Sequence, residues 1–84
     1  MSTEREKALI RELLSMAEEK LRMSQEAAES ADVLKEAAKS SKTALGRALL
    51  DTEVAKQQRI AREQFEGGQA ISNRVQEILG EGDE

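Results

Sequence analysis

Apolar residues recur at helical spacing along almost the whole chain, from Leu9 to Leu79. Stepping from Ile10 by one helical repeat of 3.6 residues passes close to Leu14, Ala17, Leu21, Ser24 and Ala28. The same line later passes close to Leu50, Val54, Gln57, Ala61, Gln64, Gly68, Ile71, Val75 and Ile78. The middle is less regular: Asp32, Lys35, Lys39 and Lys42 fall on the line, and their neighbours Ala31, Leu34, Ala38 and Leu45 carry its apolar character. A second seam runs beside the first through Leu9, Leu13, Met16, Met23, Ala27, Leu34, Ala37, Ala44 and Ala48. Two adjacent seams make a stripe wider than a two-stranded coiled coil needs, and such a stripe suits a bundle of three or four helices.

This pattern predicts an all-α chain: a long amphipathic helix over residues 4–79 that enters an oligomeric coiled coil or helical bundle. Such a helix would be roughly 110 Å long. The alternative is an antiparallel hairpin of residues 4–39 and 43–79, which could dimerise into a four-helix bundle. Residues 1–3 read as an N-terminal cap, because Thr3 followed by Glu6 forms a capping box, with Ser2 as an alternative cap. Ile78-Leu79-Gly80 reads as a stop, with glycine placed for a left-handed C-terminal cap. Residues 80–84 then form an acidic frayed tail. A break is allowed for near 40–43 or 67–68. The first of these contains no Gly, Pro, Asn or Asp, the residues expected of a tight turn.

Composition narrows the function. Among 84 residues there is no Pro, Cys, His, Trp or Tyr, and Phe65 is the one aromatic residue. Without His or Cys, nucleophilic catalysis would fall to pairs such as Ser41 and Lys42, for which a solvated polar segment is the simpler reading. Glu18 and Glu19 are adjacent and point to different faces, so they share no substrate atom. No phosphate loop, EF-hand or zinc spacing is present. We therefore expect no catalytic residue, no cofactor and no metal, and a chain that is not an enzyme. Net charge is −4, with the two signs interspersed as on a solvated helix face. That excludes a phosphate-backbone footprint and nucleic acid as a partner. No apolar run is long enough to span a membrane, the mixed polar face argues against a helix lying on lipid, and the charged N-terminus leads us to expect a cytoplasmic protein. Lys56, Arg59 and Arg62 form a local basic face that Glu53, Glu63 and Glu66 are placed to neutralise.

The expected function is a non-enzymatic oligomerisation or protein-interaction module, associating through its Leu/Ala face with a second copy or with a partner helix. The interface residues expected are Ile10, Leu13, Leu14, Leu21, Leu34, Leu45, Leu49, Val54, Ile71, Val75 and Ile78. Gln57, Gln58 and Gln64 are the candidates for setting register, since polar residues in an apolar seam select partner and alignment at a cost in stability. A small adaptor or secretion-type chaperone hairpin that holds a partner's helix is the second expectation.

Two stretches carry resemblances. Ala27-Ala28-Glu29-Ser30-Ala31 with Lys35-Glu36-Ala37-Ala38-Lys39 resembles the Ala-rich coiled-coil arms of laminins. The Gln-bearing seam from Leu50 to Ile78 is similar to SNARE motifs, which carry a polar Gln or Arg layer. That resemblance implies a membrane-trafficking helix that folds with partner helices. The chain departs from the SNARE pattern where Thr43, Arg47 and Gly67-Gly68 interrupt the apolar layers, and it is assigned to neither family.

Overall fold

The computed structural model describes residues 3–82. Two helices, α1 (Glu4–Ser40) and α2 (Ala44–Gly82), pack against each other along their length. Principal extents of 63 × 15 × 12 Å fit an antiparallel hairpin and are far short of the roughly 110 Å of one continuous helix. The chain is thus all-α, and of the two architectures compatible with its periodicity it adopts the hairpin.

Phase explains why the continuous helix is not formed. In α1 the residues withdrawn from solvent are Glu6, Ile10, Leu13, Ala17, Lys20, Ser24, Ala27, Ala31, Leu34 and Ala38. They alternate in steps of three and four, the coiled-coil repeat. Carried past Ser41, that alternation would fall on Leu45, Ala48 and Thr52, all of which are exposed. The seam of α2 is instead Leu50, Val54, Gln57, Ala61, Gln64, Gly68, Ile71, Val75 and Ile78. It lies two residues out of phase, roughly 200° around a helix. One straight helix would show its two seams on nearly opposite sides. Reversing the chain lets them face each other. The 3.6-residue line from Ile10 therefore tracks α2 correctly but strays in α1 onto Leu14, Leu21 and Ala28, which flank the seam.

The reversal needs no glycine conformation. Ser41 ends α1 with φ −69° and ψ 132°, its amide donating to the Ala38 carbonyl at 3.2 Å. Thr43 then caps α2: its Oγ1 accepts from the Gly46 amide at 3.0 Å, and its carbonyl accepts from Arg47 N at 3.1 Å. No described residue has a positive φ. Gly46 matters for space, since a Cβ there would lie 2.7 Å from Ser41 Oγ and 2.8 Å from Thr43 Oγ1. At the other end Thr3 Oγ1 accepts from Glu6 N at 3.1 Å, the Thr3 half of the expected capping box. The alternative cap, Ser2, lies outside the described residues, as do Asp83 and Glu84 of the expected tail.

Two further boundaries are set by the structure. α2 runs unbroken through Gly67-Gly68, and it passes Gly80 to end at Gly82. Gly80 has no left-handed conformation and so does not act as the predicted cap. Gly68 is a point of close approach. A Cβ on it would meet Leu21 Cγ at 3.1 Å and the Ala17 carbonyl oxygen at 3.4 Å. One heptad along, Ser24 Oγ donates to the Ala61 carbonyl at 2.7 Å. Ala17 level with Gly68 and Ser24 level with Ala61 define one register. Extended by heptads, it sets Ile10 level with Val75 and Ala31 level with Val54. Small residues fill the tightest layers, so the helices approach closely while burying little apolar volume.

Candidate interaction surface

The buried hydrophobic residues are Ala17, Ala27, Ala31, Ala38, Val54 and Val75. Among the described residues no Leu, Ile, Met or Phe is fully buried. This follows from the register: with Ala, Ser and Gly in the central layers, the seam's own Leu and Ile are covered only in part, and further large side chains project beside it. Their uncovered surface is the candidate site, and it divides into two flanks and one end.

Leu14 and Leu21 lie four residues after seam positions Ile10 and Ala17, and Phe65 and Leu79 lie four after Ala61 and Val75. These four side chains are exposed by 43%, 39%, 53% and 48% respectively. Helices that run antiparallel bring the same flank of each together. Lys35, four after seam position Ala31, and Asp51, one after seam position Leu50, line one groove with Ala38 and Arg47. Leu21 lies against Gly68, three residues from Phe65. On the opposite flank Leu9, Met16 and Met23 are exposed. There Ser30 and Val33 share a groove with Glu53 and Gln57. Leu45 and Leu49, exposed by 71% and 63%, project outward from α2 near the turn.

The residues expected to carry an interface are therefore divided. Val54 and Val75 are buried between the helices, and Ile10, Leu13, Leu34, Ile71 and Ile78 are half-buried along the same seam. Leu14 and Leu21 belong to one exposed flank, while Leu45 and Leu49 lie off the helix–helix seam altogether. Of the three glutamines, Gln57 and Gln64 occupy seam positions and Gln58 is exposed beside them. Gln57 Nε2 donates to Glu53 Oε1 at 3.2 Å. Gln64 Oε1 is buried with no hydrogen-bond partner. Phe65 is absent from the expected interface. Its position, four after Ala61, marks it as flanking once the phase of α2 is followed separately from that of α1.

Electrostatics on these surfaces is local. Every ion pair among the described residues joins neighbours within one helix. None involves Lys56, Arg59 or Arg62, so the expected neutralisation by Glu53, Glu63 and Glu66 does not take the form of direct pairing. Arg22 pairs with both Glu19 and Glu26. The hydrogen bond from Arg22, followed by its charge, holds the Glu19 carboxyl below the usual carboxylate range and raises the Arg22 guanidinium in return. Among the described residues no cluster of three or more acidic, His or Cys side chains is arranged to hold a metal. No helix there is long and apolar enough to cross a membrane. The chain matches no family model, no curated protein and no solved structure.

Proposed function

We propose that this hairpin is a non-enzymatic assembly module that associates with other helices through the large apolar side chains left outside its own seam. One observation carries the reading: the only hydrophobic side chains fully buried among the described residues are Ala and Val, the Leu and Ile of the seam are only half-buried, and further large apolar residues lie exposed beside the contact. Apolar surface contributes about 25 cal/mol per Å² removed from water, and here much of that gain is left for a second partner to realise. A small chain with a thin core commonly gains stability in this way. Gln57 and Gln64 restrict how the seam aligns, so that the flanking residues are presented in one arrangement.

The test is solution mass with shape, by sedimentation velocity and small-angle scattering from micromolar to millimolar protein. The expected particle is heavier than 9.3 kDa and retains a hairpin's length. A monodisperse 9.3 kDa particle throughout that range sinks the self-assembly reading. It would favour the adaptor hairpin that holds a partner's helix. The acidic groove formed by Glu26, Glu29 and Glu53 beside Val33 and Leu34 supports that second reading, because it suits a basic amphipathic helix.

A further inference from the structure

We infer that the partner is a second copy of this chain, seated on the flank that carries Leu14, Leu21, Phe65 and Leu79, and that the product is a four-helix bundle. This rests on the assembly reading above and adds to it the partner and the face.

Area is the first argument. The chain exposes 6420 Å². A compact monomer of its 9.3 kDa mass would expose about 5,000 Å². The excess, on the order of 1,400 Å², is larger than the roughly 800 Å² that each partner of a standard interface loses. One hairpin docked lengthwise on another can therefore supply an interface of standard size and bring the exposed area per chain toward that of a globular protein.

Position and composition select the flank. Leu21 packs over Gly68, Phe65 lies three residues before that glycine at nearly the level of Leu21 on the same flank, and Leu14 and Leu79 continue the flank toward the open end. Phe65 supplies the kind of large, rigid side chain that dominates interface energetics.

Charge separates this flank from the other. Along it and its outer row, Lys7, Arg11, Lys35, Lys39 and Arg62 are balanced by Glu4, Glu18, Asp32 and Asp51. The opposite flank presents Glu12, Glu19, Glu26, Glu53, Glu63 and Glu77 against Arg5, Lys20, Lys56 and Arg74, a small acidic excess. Arg22, paired with Glu19 and Glu26, offsets only part of that excess. Two copies meeting there would appose like charge, which opposes association. Two copies meeting on the Phe65 flank would not.

The experiment is sedimentation equilibrium on the full chain and on Phe65→Glu, Leu14→Asp and the opposite-flank variant Met16→Glu. Circular dichroism of each checks that the helices remain; all three positions are exposed in the hairpin. The expected result is a parent of twice 9.3 kDa. Phe65→Glu and Leu14→Asp should each weaken the dimer by about tenfold or more, as for a hot-spot change of about 1.4 kcal/mol. Met16→Glu should leave it intact. A dimer weakened by Met16→Glu and indifferent to Phe65→Glu overturns this inference and leaves the assembly reading standing. A parent monomeric at every concentration overturns both.

Discussion

A methyl group added to Gly67 would come 3.1 Å from Lys20 Cδ, part of a flexible side chain that can swing aside. Added to Gly68, it would press on Leu21 and approach the backbone of α1. Gly67→Ala should therefore stabilise the hairpin, by up to about 1 kcal/mol from helix propensity. Gly68→Val should destabilise it, because its branches have no room between the helices. Thermal denaturation followed by circular dichroism distinguishes the two, and equal shifts of one sign would contradict the close approach at Gly68. Gln64 makes a parallel case. Its buried Oε1 lacks a partner, so Gln64→Leu should raise the melting temperature by removing a polar group whose burial costs about 1–3 kcal/mol. A lowered melting temperature would mean that the oxygen is satisfied in solution. At Glu19 the lowered carboxyl pKa stabilises the folded state above the unfolded pKa. That contribution is lost as pH falls through the folded value. Arg22→Ala should move the Glu19 titration midpoint upward when followed by NMR, and an unchanged midpoint would remove Arg22 as the cause.

At the scale of the elements, the turn decides how α1 and α2 meet. Thr43 supplies the cap of α2 through its hydroxyl, and Gly46 supplies the space in which Ser41 and Thr43 face the first turn. Thr43→Ala should cost about 1 kcal/mol, as for other N-cap losses. Gly46→Ala should also destabilise, although alanine has the higher helix propensity, because its Cβ would fall within 3 Å of both hydroxyl oxygens. Chemical denaturation of each variant measures this, and a stabilised Gly46→Ala would show that the hydroxyls can rotate away. The expectation that a tight turn requires Gly, Pro, Asn or Asp fails here for a physical reason. The chain reverses through extended Ser41 and a capping Thr43 with no positive φ, a conformation that many residues adopt. The clearer signal was the two-residue slip between the seams of α1 and α2.

At the scale of the whole molecule, packing rather than charge joins the helices. The ion pairs are exposed and lie within single helices. Pairs of that kind contribute about 0–1 kcal/mol each, and the tertiary contact is made by buried Ala, Val and Gly, by half-buried Leu and Ile of the seam, and by the bond from Ser24 to Ala61. Raising the salt concentration should therefore leave the melting temperature nearly unchanged. A large loss on screening would show charge to be holding the hairpin.

The amino-acid pattern by itself determined the helical class, the Thr3 cap and the seam from Leu50 to Ile78, because all three rest on local spacing. It also marked Gln57 and Gln64 as polar members of that seam. Tertiary structure decided which residues of α1 are buried, the passage of α2 through Gly67-Gly68 and the role of Phe65 as a flanking residue. These depend on contacts between residues far apart in sequence: Gly68 admits α1 only beside Ala17, and Ser24 reaches a carbonyl only at Ala61. Helical periodicity says that a face must be covered; the matching of small residues across the chain says which face covers it.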